Sequence, residues 1–166
     1  MKKPPAIEII VEDPKWKKLA RGLTKRVEAV VTRTLAQEKA KGGLTLLLSD
    51  DAHLKELNSL FRGKNKPTNV LSFPAEKNAA HYLGDVAIAL GVVTREAKAA
   101  GKSPLDHTLH LAVHGTLHLL GHDHMKPREA ARMERLEAQI LAEFGIADPY
   151  AAPTKPRAKR PSKSNG

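Results

Sequence analysis

The chain contains no cysteine among its 166 residues. That excludes disulfides, thiolate metal ligands and thiol nucleophiles together. Aromatics are scarce, with three Phe, two Tyr and one Trp. Platforms for base stacking are therefore few, and recognition of a nucleic acid would lean on phosphates and on partner proteins. No apolar run approaches the ~20 residues that span a bilayer. The segment Met1-Lys2-Lys3-Pro4-Pro5 leads into Ala6–Val11, an apolar run interrupted by Glu8. It lacks the longer apolar stretch and cleavage site of a secretory leader. The expectation is a cytoplasmic protein with no membrane partner.

What the chain has in excess is positive charge: 28 Lys plus Arg against 18 Asp plus Glu, a formal net charge of +10. Lys155, Arg157, Lys159, Arg160 and Lys163 lie beyond Ala151 with no acid among them, so half the excess sits there and half in the body. A field of this sign attracts polyanions, nucleic acid foremost. The Pro-, Lys- and Ser-rich composition of residues 148–166 predicts a disordered basic tail. It follows a single domain over residues 1–147.

Within that domain the patterning alternates strand and helix. Ala6–Val11 reads as a strand. Asp13-Pro14 opens a helix with Leu19, Leu23, Val27, Val30, Val31 and Leu35 at helical spacing, closed by Gly42-Gly43. Leu44–Leu48 reads as a buried strand parallel to the first. Ser49-Asp50-Asp51 caps a short helix carrying Leu54, Leu57 and Leu60. Gly63–Thr68 is a polar loop, Asn69–Phe73 a third strand and Leu83–Leu90 a fourth. Val92–Ala100 is helical. Ser103-Pro104 opens a buried helix bearing Leu105, Leu109, Ala112, Val113, Leu117 and Leu120. Pro127 opens the last helix, striped by Met133, Leu136, Ile140 and Phe144. The expected class is α/β, one domain with about four strands packed by helices.

Six of the eight histidines fall between His107 and His124. His114 and His118 are four residues apart and share a helix face. Gly121 can take a left-handed conformation, end the helix and let the chain return His124 towards them. Three imidazoles leave a coordination position open, as catalytic zinc does. His110, one turn earlier, reads as a packing or supporting residue. The spacing equals that of the metzincin proteases, but the Glu that serves them as general base is replaced by Gly115, which argues against peptide hydrolysis. Metal-assisted attack on a phosphoryl or carbonyl group stays available. A structural site closed by His122 or Asp123 is the competing reading. Three imidazoles suit nickel, cobalt or copper as well as zinc.

The second constellation is Phe61-Arg62-Gly63-Lys64-Asn65-Lys66-Pro67-Thr68-Asn69. Arg62 can grip a phosphate in a bidentate fork and offset charge building on it. Lys64 and Lys66 can hold flanking phosphates. Asp85 and Asp123 are candidates for a general base by residue type alone.

Together His114-Gly115-x-Leu117-His118-Leu119-x-Gly121-His122-Asp123-His124, Phe61-Arg62-x-Lys64-x-x-Pro67-Thr68-Asn69-Val70-Leu71-Ser72-Phe73-Pro74 and Leu83-Gly84-Asp85-Val86 resemble the YbeY family of bacterial ribosomal-RNA maturation endoribonucleases. The resemblance runs in order from about Ile7 to Phe144. It implies a small mixed sheet, one divalent ion, zinc first, on His114, His118 and His124, and an essential arginine at Arg62. It also implies single-strand-specific cleavage of RNA in maturing the 3′ end of small-subunit ribosomal RNA, with the small ribosomal subunit and its proteins as partners. The family commonly has an aromatic where His122 stands, so His122 is not counted as a ligand. The runner-up is a noncatalytic RNA-binding assembly factor with a structural metal.

Overall fold

Residues 6–123 and 125–151 are described by the structure, a computed structural model. Of the tail expected over residues 148–166, residues 152–166 lie outside the described residues, as does the ligand assigned to His124, while Tyr150 within it is hydrogen-bonded to Glu137. Nine principal elements follow in chain order: β1 (Glu8–Val11), α1 (Leu23–Gln37), β2 (Thr45–Ser49), α2 (Asp51–Arg62), β3 (Val70–Pro74), β4 (Gly84–Ala89), α3 (Leu90–Ala100), α4 (Pro104–Leu119) and α5 (Pro127–Ala142). The sheet has strand order β1-β2-β4-β3. β1 and β2 are parallel, as are β2 and β4, while β3 runs antiparallel to β4. The sheet is therefore mixed, as the resemblance implied.

Side-chain alternation sorts the sheet into two faces. Leu46, Leu48, Val86 and Ile88 point into the main core with Val27, Val30 and Val31 of α1, Leu109, Val113 and Leu117 of α4, and Met133, Ile140 and Leu141 of α5. Leu71, Ala87 and Ala89 point the other way, onto Leu54 of α2. α4 packs against α1, α5, β3 and β4 at once. That explains why its sequence is apolar nearly all round, and it fixes the helix that carries the histidines in the middle of the protein.

Two expected elements differ at their ends. The helix expected from Asp13 is split. Pro14–Lys18 forms one turn of 3-10 helix, capped by Asp13 accepting from Lys15 N at 2.9 Å. Gly22, at φ +67°, then starts α1 afresh. The split seats Trp16, fully buried, whose Nε1 donates to Ser49 O at 2.7 Å. The strand expected to Leu90 stops at Ala89, and α3 begins immediately. The cap of α3 comes from elsewhere in the chain: Asp51 Oδ1 accepts from Val92 N at 3.0 Å. A Cβ on Gly91 would lie 2.4 Å from the same carboxylate, so a larger residue there would displace the Asp51 side chain.

Candidate metal centre

α4 starts where its sequence says it should. Ser103 Oγ accepts from Asp106 N at 3.0 Å and Pro104 occupies the first turn. From there His107, His110, His114 and His118 step along one side of the helix. Successive ring centroids are 6.0, 6.3 and 4.9 Å apart. The helix ends at Gly121, φ +96°, with Gly121 N bonded to His118 O and His122 N to Leu117 O, both at 3.0 Å. The chain reverses there as expected. His122 is turned away onto the end of α1, its Nε2 2.5 Å from Glu38 Oε1. That contact gives it a structural role in holding the turn.

The histidines close on a residue that the sequence did not single out. Glu137 of α5 is fully buried. Its Oε1 accepts from His110 Nε2 at 2.7 Å and from the Tyr150 hydroxyl at 2.6 Å, and its Oε2 from His114 Nδ1 at 2.7 Å. Burial pushes the carboxyl pKa up. The hydrogen bonds from His110 and His114, the charge of His114 and the Tyr150 hydroxyl overcome this and bring it down to about 2. The Tyr150 phenol moves the opposite way, pushed up by burial and by Glu137. His107 stands apart, its Nε2 2.8 Å from Glu96 Oε1. Its pKa is lowered because burial outweighs that carboxylate.

One ligand atom from each of His110, His114 and Glu137 lies within 4.8 Å of the others, so the group is a candidate metal centre. Its 2.7 Å pairs are closer than the ~3.3 Å between donor atoms around a tetrahedral zinc with bonds of ~2.0–2.1 Å. Glu137 is therefore hydrogen-bonded to the imidazoles. A carboxylate only accepts, so the His114 proton sits on Nδ1 and its lone pair on Nε2, the atom a cation would take. The residues present fit a divalent ion: an imidazole locked in the ligating tautomer, with a second ring, His118, 4.9 Å away. Sequence reasoning missed Glu137 because a Glu on a helix is read as exposed. The signal was present: Glu137 falls four residues after Met133 and before Leu141, inside the apolar stripe of α5.

Gly115, where the metzincin pattern has its base, packs on the sheet. A Cβ there would meet Val86 Cγ1 at 2.6 Å, and its carbonyl accepts from Ser72 Oγ at 3.0 Å. No longer side chain fits. Of the two aspartates considered as bases, Asp85 takes a short hydrogen bond from the Tyr82 hydroxyl, and Asp123 Oδ1 accepts from Met125 N at 3.1 Å.

The cationic stretch belongs to other elements, the end of α2 and the turn that follows it. Arg62 is the last residue of α2, whose left-handed cap is Gly63 at φ +68°. Lys64 and Lys66 follow on an exposed turn. Buried Asn58 pins that turn, its side-chain Nδ2 donating to Lys66 O at 2.9 Å and its backbone carbonyl accepting from Lys64 N at 3.2 Å. Among the described residues, no side chain receives a hydrogen bond or ion pair from Arg62, Lys64 or Lys66. The turn leads into β3, and Ser72 of β3 touches α4 at Gly115, the neighbour of His114.

The fold and the cluster define a small α/β protein with a histidine–carboxylate candidate metal centre. A family profile described as "Endoribonuclease YbeY" matches residues 9–145. Proteins named endoribonuclease YbeY are similar along most of the chain. The one from Rhodopseudomonas palustris (strain CGA009) is 47% identical, covering 89% of this chain and 82% of its own. That of Maricaulis maris is 44% identical, covering 87% and 91%. A solution structure of TM1509 from Thermotoga maritima shares the fold with a TM-score of 0.52 at 24% identity, over 88% of this chain and 99% of that one. This chain belongs to the YbeY endoribonuclease family. No helix among the described residues is long and apolar enough to cross a membrane.

Proposed function

We propose that this protein is a metal-dependent endoribonuclease that cuts single-stranded RNA, working in the cytoplasm on the 3′ end of small-subunit ribosomal RNA and in ribosome quality control. In this reading zinc is held by His114, His118 and His124. The observation that carries it is the hydrogen bond from His114 Nδ1 to buried Glu137, 2.7 Å long, which presets one imidazole as a ligand. A divalent ion, when bound, supplies a water of lowered pKa and an electrophile for a phosphoryl oxygen. Glu137 stays ionised well below neutrality and holds His114 in one tautomer. Arg62 neutralises charge that builds on the phosphate during cleavage. Lys64 and Lys66 hold the phosphates on either side. The pinned turn supports this role, because it presents three cations that no acid among the described residues has taken up.

The test is cleavage of single-stranded RNA by the purified protein, with elemental analysis of the same sample. His114→Ala should lose both metal and cleavage. Arg62→Ala should keep its metal and fold while cleavage falls ~100-fold or more, the scale of a lost transition-state charge partner. An Arg62→Ala protein that cleaves at the parental rate would favour the noncatalytic assembly factor.

A further inference from the structure

Phe61 is an unusual surface residue for a chain so poor in aromatics. It lies in the last turn of α2, immediately before Arg62, and is 66% exposed. Its ring is propped from one side by Phe73 of β3, with centroids 5.2 Å apart and planes tilted by 60°. Phe73 is itself half-buried in the small core beneath α2. The prop fixes the Phe61 ring and leaves much of it in water. Exposing a ring in this way leaves an apolar face available to a ligand.

The other aromatics are committed. Trp16 is buried. The hydroxyl of Tyr82 is bonded to Asp85, and that of Tyr150 to Glu137. Phe144 is partly exposed, and charges of both signs surround it, Lys25, Arg26 and Arg33 together with Glu28 and Asp106. Along the sequence after Phe61 the charge is of one sign. Arg62, Lys64 and Lys66 follow it, and no Asp or Glu occurs between Glu56 and Glu76. Its exposed apolar neighbour is Leu60. Two side chains fall far short of the ~1,000 Å² that a specific protein interface needs. An aromatic face beside a row of cations is how proteins seat an unpaired base while holding its phosphates.

The geometry points to Phe61 as a stacking platform for one unpaired base of the RNA, next to the phosphate gripped by Arg62; this rests on the endoribonuclease reading above. A base inside a duplex cannot present its face to a side chain, so the platform selects single strands. Phe61 is a specificity-determining residue for this reaction, with Phe73 as its support.

The experiment is fluorescence anisotropy with the full-length protein and two labelled oligonucleotides of equal charge, about eight nucleotides long. One is 2′-O-methyl oligoadenylate and the other an abasic phosphodiester strand. The parental protein should bind the base-bearing strand about five- to tenfold tighter, the low end of what stacking on an aromatic contributes. Phe61→Ala should erase that preference and leave abasic binding unchanged, and Phe61→Trp should restore it. A preference that survives Phe61→Ala overturns the proposal. Equal weakening on both strands also overturns it, because Phe61 would then only position Arg62. So would self-association in sedimentation that Phe61→Ala abolishes, the mark of a contact between copies. Cleavage by the parental protein, lost in Arg62→Ala, reports separately on the endoribonuclease assignment.

Discussion

The histidine cluster and the cationic turn are built in opposite ways. Glu137 is fully buried, and its two oxygens are satisfied by His110, His114 and Tyr150 before any ligand arrives. Arg62, Lys64 and Lys66 are exposed, and only the backbone beneath them is held, by Asn58. The first region is part of the core, so its chemistry and the stability of the fold rest on the same atoms. The second contributes little to the fold and is left for a partner of opposite charge. Changes in the cluster should therefore cost stability and function together, while changes in the turn should cost function alone.

The sharpest way to break this contrast is Glu137→Ala. Removing one member of a buried charged network leaves the others unpaired and should cost ~3–5 kcal/mol in urea unfolding. Glu137→Gln keeps the shape and should weaken metal affinity about 10–100-fold. An unaltered unfolding midpoint for the alanine variant would place the cluster outside the stabilising core. Gly115→Ala tests the face of α4 turned to the sheet. Its Cβ would approach Val86 Cγ1 to 2.6 Å, and overpacking of this kind should cost about 1–3 kcal/mol. The smallest effect belongs to the turn. A Lys64→Ala, Lys66→Ala double variant should unfold like the parent, while the slope of log affinity for single-stranded RNA against log salt falls by about 1.4, two phosphate contacts. A shifted unfolding midpoint there would erase the distinction between the regions.

The legibility of the two regions differed for the same reason. Local rules placed α2, α4 and the turn at Gly121, because their caps and terminators lie within a few residues of the ends they control. The start of α3 was not readable, since Asp51, 41 positions earlier, satisfies Val92 N. His114 and His118 could be paired by helical spacing from one stretch of sequence, whereas His122 was set aside only by the family resemblance. Glu137 could not be reached that way: its partners sit on another helix, 23 and 27 positions away. A carboxylate inside an apolar stripe is a clue to burial, but only the packing of α5 on α4 shows what it binds. Arg62, Lys64 and Lys66 were legible as a cationic cluster because exposure requires no partner.

Tyr150 carries a warning for anyone trimming the protein. By composition the chain past Ile146 looks dispensable, and Tyr150 is indeed 42% exposed. Its hydroxyl nevertheless completes the shell of the Glu137 carboxylate. A version shortened before that residue would take a hydrogen-bond donor away from the buried carboxylate, so any added tag belongs after Ala151.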